Sequence, residues 1–164
     1  MINNLRIKNF KCFENLQVEL SNLNVFAGIN SMGKSSVIQA MLLLRQSYEM
    51  GTLAKGLHLN GDLTQIGTGF DLMYRNSDKD EVSIELAVED DNILWQYKYN
   101  KDSDYQEISQ TNINQERIDK INIFSPTFSY ISAERIGPQR YYKQSYHEIY
   151  ERNHVGFRGD LFAD

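Results

Sequence analysis

A single cysteine, Cys12, leaves the chain without any means of forming an internal disulfide. No basic excess is present either: 17 Lys and Arg stand against 22 Asp and Glu, for a net charge of -5. A protein that coats nucleic acid by bulk charge is thereby excluded, and any such contact has to be local. The longest apolar run, "MLLL" at 41–44 with its neighbours, falls far short of the roughly 18–20 residues a membrane span requires. No charged, apolar and small-residue export signal opens the sequence, so the expectation is a reducing, cytoplasmic setting.

What is present fits one domain over 1–164, long enough to bury a sizeable core. "NLRIKNFKCF" and "LQVEL" alternate apolar and polar residues and predict a hairpin turning over 11–15. "NLNVFAG" predicts a third strand, buried on both faces because Val25, Phe26 and Ala27 are consecutive. From Ser35 to about Tyr48 the spacing of Val37, Ile38, Met41, Leu42, Leu44 and Tyr48 predicts a helix buried on most sides. Together these elements make up 1–50.

Recurrent glycines predict a loop region over 51–80. Three β-rich runs over 81–132, "EVSIELAVED", "NILWQYKYN" and "DYQEISQTNI", predict an antiparallel meander. One further strand is expected near 128–132, at whose start Pro126 withholds a ladder donor. Over 133–164, Tyr142, Tyr146 and Tyr150 at four-residue intervals predict an amphipathic helix.

The stretch "GINSMGKS", beginning at Gly28, matches G-x-x-x-x-G-K-S/T at every fixed position, between a predicted strand and a predicted helix. A match by chance is expected in on the order of one in a hundred chains of this length. The glycines let successive amides point into one concavity, and the helix start adds unpaired N–H groups and a positive dipole end. Asn30, Ser31, Met32, Gly33, Lys34, Ser35 and Ser36 are therefore the candidate phosphate cradle. Lys34 is the point charge for β- and γ-phosphates, and the Ser35 hydroxyl a ligand for Mg²⁺. The plainer alternative is a solvated lysine after a glycine turn, with Ser35 as an N-cap.

With that loop placed, the opening 5–44 resembles the N-terminal segment of ABC-type ATPases of the SMC, RecF and OLD group. Asn9, Phe10 and Lys11 match their N-F-K/R turn, and Gly28, Asn30, Gly33, Lys34 and Ser35 their phosphate loop. "YISAERIGPQRYY" and "NHVGFRGD" resemble, more loosely, segments of bacterial ATPases close to the OLD proteins, some of which serve phage defence. The implied fold is α/β with α+β elements: a P-loop NTPase, specifically an ABC-ATPase-like N-terminal lobe with a mixed sheet and an antiparallel meander.

The resemblance implies ATP and Mg²⁺ as cofactors, and Lys11 as a nucleotide contact from the hairpin. It also implies Gln65 as a Q-loop glutamine sensing Mg²⁺, although a glutamine in a glycine-rich loop is equally read as solvated. Arg135 faces the same choice between a phosphate or partner subunit and an ion pair with Glu134 or another acid. The tyrosine stripe with Arg140, Lys143 and Arg152 reads as a nucleic-acid surface or, more economically, as packing against a missing portion.

The family's ABC signature, acid-paired Walker B strand and switch histidine are not found; "IELAVEDD" comes nearest but alternates like a half-exposed strand. The chain therefore reads as the N-terminal half of an ATPase, awaiting its C-terminal half and a second subunit, with DNA as a partner only of the whole protein. Alone it is expected to hydrolyse ATP negligibly, since no carboxylate orients the attacking water. The alternative is an interaction or dimerisation fragment that binds nucleotide weakly and uses its meander as the contact surface. A small-molecule kinase is disfavoured by the meander, and a GTPase by the lack of Asn-Lys-x-Asp.

Overall fold

A computed structural model describes residues 1–89 and 91–132. The part Met1–Phe124 forms one compact unit, and Ser125–Asp164 clusters as a second. Arg135, Glu134, the tyrosine stripe with its expected helix, Arg140, Lys143 and Arg152 lie outside the described residues.

The hairpin forms as its alternation requires, from β1 (Ile2–Phe10) and β2 (Phe13–Glu19). Leu5, Ile7 and Phe10 are fully buried, whereas the intervening Arg6 and Lys8 face outward. The connection is only two residues long, because Phe10 pairs directly with Phe13. Two side chains take left-handed backbone to achieve it, Asn9 (φ 55) and Lys11 (φ 51). Asparagine tolerates that region better than most residues. Asn9 is further held by its Nδ2, which donates to Glu81 O at 3.0 Å, and by its carbonyl, which accepts from Tyr74 N at 3.1 Å.

Helix α1 runs Lys34–Glu49. Val37, Ala40, Leu42, Leu43 and Leu44 are all buried, each large aliphatic side chain contributing about 1.5–3 kcal/mol. It ends in a Schellman arrangement around Gly51 (φ 69): Thr52 N donates to Ser47 O and Gly51 N to Tyr48 O. The glycine-rich region that follows is more ordered than a loop. It contains β3 (Gly56–His58) and a single-turn helix α2 (Gly69–Leu72), whose Thr68 and Asp71 form a capping box. The buried Gln46 of α1 organises it, donating to His58 O and accepting from Thr64 N, both at 3.1 Å.

The meander forms where its pattern places it, as β4 (Glu81–Val88), β5 (Asp91–Lys98) and β6 (Tyr105–Thr111). "IELAVEDD" thus begins as meander strand β4, with Ile84, Leu86 and Val88 buried and the alternate residues half-exposed. The six strands form one sheet in the order β2-β1-β4-β5-β6-β3. Among the described residues every pairing is antiparallel, so the sheet is not the mixed one expected.

Two other expectations are corrected. The run at 22–28 is not a strand; Val25 is 80% exposed and no backbone hydrogen bond ties 21–32 to another element among the described residues. A strand exists only as one side of a ladder, and no described strand lies beside this run to supply the other. Residues 128–132 are likewise without strand structure. The chain after β6 forms instead a short helix α3 (Gln115–Lys120), capped by the Asn114 side chain, and a 3-10 turn (Asn122–Phe124). Phe124 packs against Tyr48 of α1 and edge-on to Trp95 of β5, covering the core.

Candidate phosphate-binding loop

The loop entering α1 is curled. Gly28 (φ 144), Ser31 (φ 69) and Gly33 (φ 87) all take positive φ, and Gly33 serves as the helix N-cap. A left-handed glycine at that position turns the chain directly into the first helical residue, Lys34. The first bond at this end of the helix is Val37 N to Gly33 O, at 3.2 Å. Among the described residues, the N–H groups of Lys34, Ser35 and Ser36 have no acceptor, and no acidic residue occupies the first turn. The positive end of a 16-residue helix is thus left without a protein anion.

Lys34 bends back over the loop. Its Nζ donates to Gly28 O and Ile29 O, both at 2.7 Å, closing a ring from the first loop residues to the helix start. An ammonium has three N–H donors, so one is left for an external acceptor. Asn30, Ser31, Met32 and Ser35 are exposed, Gly33 is half-buried, and Ser36 is buried. The donors, the free ammonium proton and the exposed Ser35 hydroxyl suit a polyanion with an attached cation.

Lys11 reaches this end of the helix from the hairpin tip. Its Nζ donates to Gln39 Oε1 at 2.9 Å, and its backbone N to Leu72 O at 2.7 Å. Burial pushes its pKa below the ordinary lysine value, an effect opposed by the negative fields of Cys12 and Asp71. Lys11 and Cys12 line a groove of about 520 Å³ together with Phe70, Asp71, Tyr74 and Arg75. Gln65 lies elsewhere. It is exposed, opposite Asn60, in the turn whose neighbour Thr64 is anchored by Gln46. Gln46 is three turns, about 18 Å of helix rise, from Lys34. The structure therefore brings Lys11 but not Gln65 toward the start of α1.

Two residues of the hairpin were not legible as site residues. A Cβ on Gly33 would overlap the Phe13 ring and Cys12 Sγ, so both lie directly against the loop's last glycine. Cys12 Sγ is also 4.0 Å from Ser36 Oγ. Cys12 is exposed despite these contacts. Neither local spacing nor residue type signals such contacts, which join positions about twenty residues apart along the chain.

A glycine-cornered loop closed by its own lysine, at the unclaimed start of a buried helix, defines the P-loop class of nucleotide-binding domain. The sequence profile of the AAA ATPase domain matches residues 1–157, and the chain belongs to that family. It is also 33% identical over 95 residues to the uncharacterized protein MJECL10 of Methanocaldococcus jannaschii. That match takes in 55% of this chain and 43% of the archaeal protein, so the chain spans less than half of that relative. Among the described residues no helix is long and apolar enough to cross a membrane.

Proposed function

We propose that this chain is the phosphate-gripping, N-terminal part of an ABC-type ATPase of the SMC, RecF and OLD group. The observation that carries the reading is the Lys34 ring at the mouth of α1, with three adjacent N–H groups unclaimed. Backbone amides from Asn30 to Ser36 cradle the phosphates as a Walker A loop, and the remaining Lys34 proton meets the β- and γ-oxygens. Ser35, exposed beside them, holds Mg²⁺. Lys11 and its groove lie on the hairpin side, where they contact the rest of the nucleotide. Gln65 has no part in this arrangement.

The bound cation and triphosphate supply charge neutralisation, while this chain's own residues bind and orient. Hydrolysis awaits an acidic strand from a C-terminal half and a second subunit, so the isolated chain turns over negligibly. Work on DNA, phage defence and a cytoplasmic location are assigned to the whole protein on the same footing. The reading as an interaction fragment draws on a specific observation: Leu23, Val25, Ile29 and Met32 are 81, 80, 79 and 69% exposed. Apolar residues so placed beside the loop mark where a completing strand docks, and the two readings meet in that surface. Titration with a fluorescent ATP analogue separates them. Saturable, Mg²⁺-dependent binding lost in Lys34→Ala supports the ATPase reading; binding indifferent to that substitution removes it.

A further inference from the structure

The loop from 21 to 33 has no backbone ladder to hold it, yet its last residue must keep a left-handed conformation for α1 to begin at Lys34. Packing from the hairpin tip supplies the restraint. Phe13 pairs across the hairpin with the fully buried Phe10, and directly opposed residues share a sheet face. The Phe13 ring then abuts Gly33, where even a methyl group would collide with it. The same tip contacts the helix twice more, through Cys12 with Ser36 and Lys11 with Gln39. Positions 33, 36 and 39 recur every three residues and lie along one side of the helix start.

We infer that Phe13 is a positioning residue for nucleotide: its ring braces Gly33, and so fixes the direction in which the amides of Lys34, Ser35 and Ser36 point. The inference rests on the phosphate-loop reading for its ligand, but not for its mechanics. Glycine at 33 is thereby required twice, by its φ of 87° and by the ring beside it. The brace also explains why an aromatic residue occupies the first position of an edge strand whose other residues are half-buried or exposed.

The test uses the 164-residue chain in two measurements. Amide exchange without nucleotide compares Val37, whose N–H bonds to Gly33 O, with Leu43 in mid-helix. Titration with a fluorescent ATP analogue and Mg²⁺ reads the site itself. Phe13→Ala should speed Val37 exchange relative to Leu43 and weaken binding, each by about tenfold, or ~1.4 kcal/mol. Phe13→Leu, which keeps apolar bulk and adds no atom at the Cζ end facing Gly33, should give smaller shifts of the same sign. Val18→Ala, a half-buried truncation elsewhere on β2, should change neither ratio. Should Phe13→Ala fail to fold, Phe13→Leu takes its place.

The inference is overturned if Val37 exchange relative to Leu43 is unchanged, or if Lys34-dependent binding survives the loss of the ring at full strength. A wild-type chain that binds no nucleotide while Val37 still responds to Phe13 would remove the ATPase reading and leave the brace standing.

Discussion

Lys11, at the tip of the hairpin, donates through Nζ to Gln39 Oε1, on the second turn of α1, over 2.9 Å. The bond fastens the edge of the sheet to the helix that carries the phosphate loop, and it does so with a partly desolvated charge.

That desolvation has a pH signature. The unfolded chain keeps the Lys11 proton up to about the ordinary pKa of 10.5, whereas the folded chain releases it at lower pH. In the window just below 10.5 the unfolded state therefore binds more protons, so this group's contribution to stability rises with pH and is lost as pH falls through the folded value. Urea unfolding of wild type and Lys11→Met should show the wild type gaining on the variant as pH approaches 10.5. A difference that is flat or falls would contradict the burial of this ammonium.

Tyr97 titrates in the opposite sense. Its hydroxyl is fully buried with no hydrogen-bond partner among the described residues, and burial raises its pKa well above 10.0. Tyr97→Phe should be stabilising by roughly 1–3 kcal/mol at neutral pH, the desolvation penalty of an unmade hydrogen bond. The gain should grow above pH 10.0, where the unfolded tyrosine ionises and the folded one does not. Thermal melts at two pH values check both statements.

Gln46 holds the glycine-rich region to α1 through one donated and one accepted bond to backbone. Gln46→Leu leaves His58 O and Thr64 N unpaired and should cost roughly 2–6 kcal/mol, at about 1–3 for each group. Because it lies three turns from Lys34, nucleotide affinity of the folded protein should be unaffected. A loss of affinity matching the loss of stability would show that the region bearing Gln65 communicates with the loop after all.

Gly33→Ala combines left-handed backbone with a collision against Phe13 and Cys12, whereas Gly28→Ala meets open space. Both are strained, by about 1–2 kcal/mol for the backbone alone. Gly33→Ala should be clearly the more destabilising in thermal denaturation. Equal effects would show that the hairpin tip does not press on the loop.

The hairpin, α1 and the three meander strands were legible because each carries its own period, as in Ile84, Leu86 and Val88 or Leu42 to Leu44 with Ala40. The phosphate loop was legible because its glycines, lysine and serine are local in sequence. The expected strand at 22–28 failed for a physical reason: Val25, Phe26 and Ala27 form a consecutive apolar run, but pairing depends on a neighbour that no local pattern announces. The mixed sheet, which came from the resemblance alone, is replaced among the described residues by an antiparallel one. The Phe13 brace was invisible because Gly33 lies far along the chain from the hairpin.

The most direct test of the central claim is to follow backbone amide resonances of 28–37 while MgATP is added to the isotopically labelled chain. The account predicts saturable downfield shifts at Gly33, Lys34, Ser35 and Ser36, with Lys34→Ala abolishing them while the fold persists. Amides at these positions that remain unmoved at saturating nucleotide, or shifts that survive in Lys34→Ala, would contradict it.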